Sequence, residues 1–73
     1  MTGRQFNRLI KRAPLSYSVA RRGGGSHTTW ASEAGYPVIH TAFHDNQQLP
    51  PGLVRKILVK DIGLKVEEAL AIL

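Results

Sequence analysis

Three consecutive glycines, residues 23–25, constrain this chain more than any other stretch of its sequence. Glycine is costly to order, so such a run indicates a backbone that turns sharply or approaches another molecule closely. Strand-like segments flank it. Residues 15–22 alternate apolar and small side chains, and residues 26–32 carry threonines and a tryptophan. We therefore predict two strands joined by a turn at the glycines.

Proline and glycine also set the other element boundaries. Pro14 ends a segment whose apolar residues recur with the period of a helix, Gly35 marks a second turn, and Gly63 is placed to cap a later helix. The predicted elements are a helix over residues 3–13, strands over 15–22, 26–32 and 37–43, a helix over 53–62 and a short last helix over 65–73. The apolar stripe expected on the last helix consists of Val66, Ala69, Leu70 and Leu73.

The predicted element order indicates a two-layer α+β fold. Three consecutive antiparallel strands with helices on one face give the order α-β-β-β-α, to which a short C-terminal helix can add. A chain of 73 residues buries only about 60% of its unfolded surface, so its core is thin. We expect a single domain over residues 1–73 whose chemistry takes place on its surface.

Positive charge is concentrated in the first half of the chain. The net charge is +5; residues 1–32 contain six basic residues and no acidic one, whereas residues 33–73 carry four basic and five acidic residues. On the predicted first helix, the side chains nearly opposite the apolar stripe are those of Arg4, Arg8, Lys11 and Arg12. A basic half on a small domain indicates a polyanionic partner, most often nucleic acid. The alternative is a basic surface that is only solvated.

Several classes of protein are disfavoured by what the sequence lacks. It contains no cysteine, so neither disulfides nor thiolate metal sites are expected, which is compatible with a reducing cytosol. No apolar run approaches the roughly 20 residues of a membrane helix. The first twelve residues contain no apolar stretch of the kind found in signal peptides.

The second and third strands predict where the three histidines lie. If their hairpin loop is even-numbered and centred on residues 34–35, the register is fixed. The predicted cross-strand pairs are Thr28–Thr41, Trp30–Ile39 and His27–Ala42. His27 then lies on the face turned away from the helices, with His40 and His44 as diagonal neighbours about 7–8 Å away.

This placement favours proton transfer over metal binding. His40 and His44 would stand about 13 Å apart along a strand, so one ion cannot bind both, and only a pair that includes His27 could hold a metal. His27 directly follows the glycine turn and the two arginines before it. Glycine amides can approach a phosphate, arginine can neutralise it, and histidine exchanges protons near neutral pH. This combination indicates phosphodiester cleavage; the alternative is an ordinary surface histidine.

Four blocks of sequence resemble one known family over nearly the whole chain. They are the N-terminal helix with "LIKR", "RRGGGSHTTW" at a basic-Gly-Ser-His-x-x-aromatic motif, "TAFH" where the family often has Pro-x-His, and "LPPGLVRKILVKDIGL" at its second helix. In these blocks the chain resembles the HicA family of small bacterial toxins, the YcfA-like messenger-RNA interferases of type II toxin–antitoxin systems.

The sequence departs from the family pattern at four points. Thr28 stands where many members have a second histidine, and Ala42 replaces a common proline. The loop has an extra glycine, and Lys65 replaces a usual capping residue. None of these changes affects His27, which matches the family's catalytic histidine.

The resemblance implies a fold like that of double-stranded-RNA-binding domains and ribosome-independent RNA cleavage in the bacterial cytoplasm. It also implies inhibition of translation under stress and neutralisation by a HicB-like antitoxin. From the lack of cysteine and of clustered carboxylates, and from the strand distance between His40 and His44, we expect cleavage with no metal and no cofactor. His27 would be catalytic. The residues expected to bind RNA are Arg8, Lys11, Arg12, Arg21, Arg22, Gly24, Gly25 and Ser26.

RNA cleavage without metal normally uses the neighbouring 2′-hydroxyl as nucleophile, with one group as base and another as acid. One histidine cannot fill both roles at once. His44 is the favoured second group, and His40, a lysine or water remain open. Two other functions also remain open: a non-catalytic module that binds double-stranded RNA, and a protein that binds only an antitoxin.

Overall fold

The computed structural model describes all 73 residues and begins with helix α1, Gly3–Lys11. A capping box starts the helix: the Gln5 N–H donates to Thr2 Oγ1 at 3.2 Å, and the Thr2 N–H donates to Gln5 Oε1 at 2.8 Å. Phe6 and Ile10 are fully buried on its inner face. The helix is two residues shorter than predicted because Arg12 is already extended.

Three strands form an antiparallel sheet in the order β1-β2-β3. They are β1 Tyr17–Arg22, β2 Thr28–Ser32 and β3 Ile39–Thr41. The expected pairs Trp30–Ile39 and Thr28–Thr41 are confirmed. Both pairs are buried, whereas His40 on the alternate face is exposed. The sheet therefore has one face covered by helices and one open face.

The third strand is shorter than predicted, and this moves His44 away from its expected position. Strand β3 ends at Thr41, and the following residues leave the sheet for the start of α1. There the Gly3 N–H donates to the Gln47 carbonyl at 2.9 Å, and the Arg4 N–H donates to the Asp45 carbonyl at 3.0 Å. The first N–H groups of a helix have no partner within it, so this loop satisfies them. The expectation that His44 lies on the open face beside His27 is wrong for this reason.

The C-terminal third is helical. Helix α2, Pro51–Lys56, continues into a π-helical segment, Ile57–Asp61, and Gly63 ends it with a φ of +91°. Helix α3, Val66–Ile72, follows. At its start the Lys65 N–H donates to Glu68 Oε1 at 2.9 Å, which is half of a capping box; a lysine side chain has no acceptor for the other half.

The expected apolar stripe of α3 is wrong. Only Ala69 of that stripe is buried, whereas Val66, Leu70 and Leu73 are 50%, 55% and 53% exposed. The core meets α3 along the line through Ala69 and the half-buried Ile72 instead. A chain of this size has too little core to cover a wider face of its last helix.

One hydrophobic core joins the helices to the covered face of the sheet. It contains fourteen buried apolar residues drawn from α1, the sheet and the C-terminal helices. At its sheet side, Trp30 is 2% exposed and its indole N–H donates to Thr41 Oγ1 at 3.0 Å. The predicted α+β class is confirmed. None of the helices has the length and apolar character that crossing a membrane requires.

Candidate nucleic-acid interface

A groove with a volume of about 560 Å³ runs between α1 and the first hairpin. We call it the basic groove; its polar lining comes mainly from Arg4, Asn7, Arg8, Lys11, Arg22, Ser26 and His44. Asp45 also lines it and lies 3.5 Å from Arg4, but both side chains are more than half exposed, so this ion pair contributes little. The groove therefore keeps an excess of positive charge.

The periodicity of α1 explains how the groove is built. Arg4, Asn7, Arg8 and Lys11 recur at i, i+3, i+4 and i+7, which places them on one face of the helix. Arg4 and Asn7 were not among the predicted site residues, although this spacing could have indicated both. Asn7 Oδ1 is buried and has no hydrogen-bond partner. Because Asn7 lines the open groove, water or a bound molecule can supply that hydrogen bond.

Residues 23–27 form a tight loop with free backbone amides, which we call the glycine loop. The Gly23 N–H donates to the His27 carbonyl at 2.9 Å, which closes the loop. The N–H groups of Gly24, Gly25 and Ser26 make no hydrogen bond within the protein. A side chain on Gly24 or Gly25 would meet open space, so neither glycine is required by internal packing. Gly25 does have a φ of +65°, a conformation that side chains other than glycine rarely adopt.

A second depression, with a volume of about 320 Å³, lies on the open face of the hairpin. We call it the histidine pocket; it is lined by Arg21, Gly23, His27, Thr28, Thr29, His40 and Thr41. His27 and His40 thus share one pocket, as expected from the register. His44 lines the basic groove instead.

One hydrogen bond orients a histidine in this pocket. Thr29 pairs directly with His40 across the two strands, and Thr29 Oγ1 lies 3.0 Å from His40 Nδ1. His40 Nε2 has no partner within the protein. Thr29 was not predicted as a site residue; its position opposite His40 in the predicted register is the signal that could have identified it.

The remaining predicted residues are divided between the two sites and a third location. Arg8, Lys11, Arg22 and Ser26 line the basic groove, and Arg21 lines the histidine pocket. Arg12 lies apart from both, in a depression with Pro14 and residues of α3. Thr28 lines both sites, so they meet at the base of the glycine loop.

No three histidine or carboxylate side chains lie close enough together to hold a metal ion. The arrangement contains a cationic groove, three free backbone amides and a pair of histidines, which adjoin one another at the loop of residues 23–27. No family model, no curated protein and no solved structure matches this chain.

Proposed function

We propose that this chain is an RNA endonuclease, a messenger-RNA interferase of the HicA type. In this proposal the basic groove holds the RNA backbone, and His27 exchanges protons at the phosphodiester that is cut. The observation that carries the proposal is that the basic groove and the histidine pocket meet at the glycine loop. A strand that crosses the loop would meet cationic side chains, free amides and a titratable group in succession.

The binding mode follows from the kind of surface. Arginine and lysine neutralise phosphates without reading the base sequence, and free backbone N–H groups can donate hydrogen bonds to a phosphate at close range. Helices on one face of the sheet, with a basic α1 next to the first hairpin, support a fold like that of double-stranded-RNA-binding domains. Such domains recognise RNA mostly by its shape, through phosphate and 2′-hydroxyl contacts.

The biological role in the proposal comes from the sequence resemblance. An interferase that cuts messenger RNA in the bacterial cytoplasm stops translation, so the cell must neutralise it with a partner. We propose a HicB-like antitoxin that covers the histidine pocket and is acidic where it meets Arg21 and Arg22, both of which are exposed.

Incubation with labelled RNA tests the proposed activity. We expect fragments from the wild-type protein in the presence of a chelator, and a rate lower by about 10²- to 10⁴-fold for His27→Gln. Because His27 is exposed, its substitution should change the free energy of unfolding by less than about 0.5 kcal/mol. Salt-dependent binding without fragments would instead identify a non-catalytic RNA-binding module, and no salt-dependent RNA affinity at all would leave only a protein partner.

A further inference from the structure

We propose that His40, and not His44, is the second acid–base group of this ribonuclease, and that Thr29 positions it; both statements rest on the proposed function. Cleavage needs a base and an acid at the same phosphodiester, so the two groups must share a site. His27 and His40 line one pocket, whereas His44 lies in the basic groove on the other face of the hairpin.

The other side chains of the histidine pocket cannot take this role. Besides the two histidines, the polar side chains there are arginine and threonine, and neither type of side chain acts as an acid–base group near neutral pH. No lysine lines the pocket. The only residues there that can exchange protons are therefore His27 and His40, while Arg21 can stabilise the charge of the phosphate.

The strand register gives a separation suited to a phosphodiester. Because the Gly23 N–H donates to the His27 carbonyl, the β1–β2 pairing continues one step beyond the strands, and His27 is on the same face as Thr29. His27 is thus a diagonal neighbour of His40, at about 7–8 Å between Cα atoms. The attacking and leaving oxygens lie on opposite sides of phosphorus, and each must come within about 2.6–3.2 Å of a ring nitrogen.

The hydrogen bond between Thr29 and His40 gives the imidazole ring a defined orientation. This hydrogen bond joins Thr29 Oγ1 and His40 Nδ1, and either atom can be the donor, depending on the tautomer of the ring. Because Nδ1 is engaged with Thr29, Nε2 is the nitrogen left to bind or release the proton used in the reaction. Either histidine can be the base. The base takes the proton of the 2′-hydroxyl, whose oxygen forms a bond to phosphorus. The bond from phosphorus to the 5′ oxygen breaks, that oxygen keeps the electron pair, and the acid protonates it. The products are a 2′,3′-cyclic phosphate and a 5′-hydroxyl.

The test is the pH dependence of RNA cleavage, with His44→Gln as the matched control for His40→Gln. The wild-type protein should give a bell-shaped profile, since it needs one protonated and one neutral histidine. We expect His40→Gln to lower the rate by about 10²- to 10⁴-fold and to remove one limb of the bell, with RNA affinity unchanged. His44→Gln should keep both limbs; because His44 lines the basic groove, any loss of activity in this variant should appear as weaker RNA affinity.

A second pair of variants tests the positioning role. Thr29→Val removes the hydroxyl and should lower kcat with KM unchanged, and Thr29→Ser should restore kcat. Two results, in a wild-type protein that cuts RNA, would show that His40 is not the second group. One is that His40→Gln keeps both limbs of the pH profile, and the other is that His44→Gln loses a limb. If the wild type leaves RNA intact, the proposed function itself is overturned, and the role of His40 falls with it.

Discussion

Among the glycines, the one with the tightest surroundings is Gly3 rather than any in the loop. A Cβ atom at this position would overlap the backbone carbonyl of His44, because the chain after β3 passes over the first turn of α1. That contact joins residues about forty positions apart. Local sequence patterns therefore could not indicate this contact. The same contact explains why His44 does not lie beside His27, where the predicted register placed it.

Gly3→Ala should destabilise the protein by about 1–3 kcal/mol, because the new methyl group has no room beside a backbone carbonyl. The direction of this change in the free energy of unfolding is informative, because replacing glycine by alanine within a helix normally stabilises it by about 1 kcal/mol. Gly24→Ala, where a Cβ meets open space, is the control and should change stability by less than about 0.5 kcal/mol. Urea denaturation of the three proteins measures both effects, and equal stabilities would contradict the packing of residues 42–47 on α1.

Tyr17 links stability to alkaline pH. Burial raises the pKa of Tyr17 above its usual 10.0, and the charge of nearby Tyr36 raises it further. The folded protein then holds this proton to a higher pH than the unfolded chain does. Its contribution to stability is complete below pH 10 and decreases as the pH rises through the folded-state pKa.

Tyr17→Phe also removes the hydrogen bond from the hydroxyl to the Pro37 carbonyl, 2.6 Å long, and should cost about 0.5–1.5 kcal/mol at pH 7. The difference in unfolding free energy between wild type and Tyr17→Phe should become smaller above pH 10. Denaturation at pH 7 and pH 10.5 measures it. A difference that is the same at both pH values would show that this phenol titrates alike in the folded and unfolded states.

Secondary-structure elements and their pairing could be predicted where interactions between residues close in sequence determine them. The loop between β2 and β3 sets the register, so the partners of Trp30 and Thr28 followed from the sequence. The end of β3 could not be predicted from the sequence. The residues after Thr41 leave the sheet because carbonyl groups further along this segment accept hydrogen bonds from the first N–H groups of α1. The buried line of α3 was missed because its apolar residues exceed what the core can cover.

Helix α3 offers a direct test of that explanation with one new side chain at two neighbouring positions. Leu70→Gln alters an exposed side chain and should change the free energy of unfolding by less than about 0.5 kcal/mol. Ala69→Gln places the same amide in the core at a residue 1% exposed, where overpacking should cost about 1–3 kcal/mol. Thermal melts compare the two, and a loss from Leu70→Gln as large as that from Ala69→Gln would mean that α3 presents the face expected from the sequence.

At the scale of the whole molecule, the sequence predicts an excess of positive charge, but it does not show where in the fold that charge lies. The acid-free first half indicated a cationic surface, and the basic groove contains four of its six basic side chains. Which basic residues share the groove depends on how the hairpin docks on α1. Arg22 joins α1 there, whereas Arg12, only one residue from Lys11, lies elsewhere because the helix has already ended.

The proposed function therefore assigns salt-dependent RNA binding to the groove rather than to net charge. Replacing Arg8, Lys11 and Arg22 together by alanine should flatten the plot of log affinity against log salt by about 2–3, since each lost phosphate contact removes about 0.7–0.9 of slope. The matched control removes three charges elsewhere, at Arg12, Lys60 and Lys65, all exposed, and should leave the slope nearly unchanged. Filter binding of labelled RNA between low and moderate salt measures both variants, with thermal melts to confirm that each is folded. Equal flattening in the two variants would assign the affinity to overall charge, and an unchanged slope in the groove variant would place the RNA on another surface.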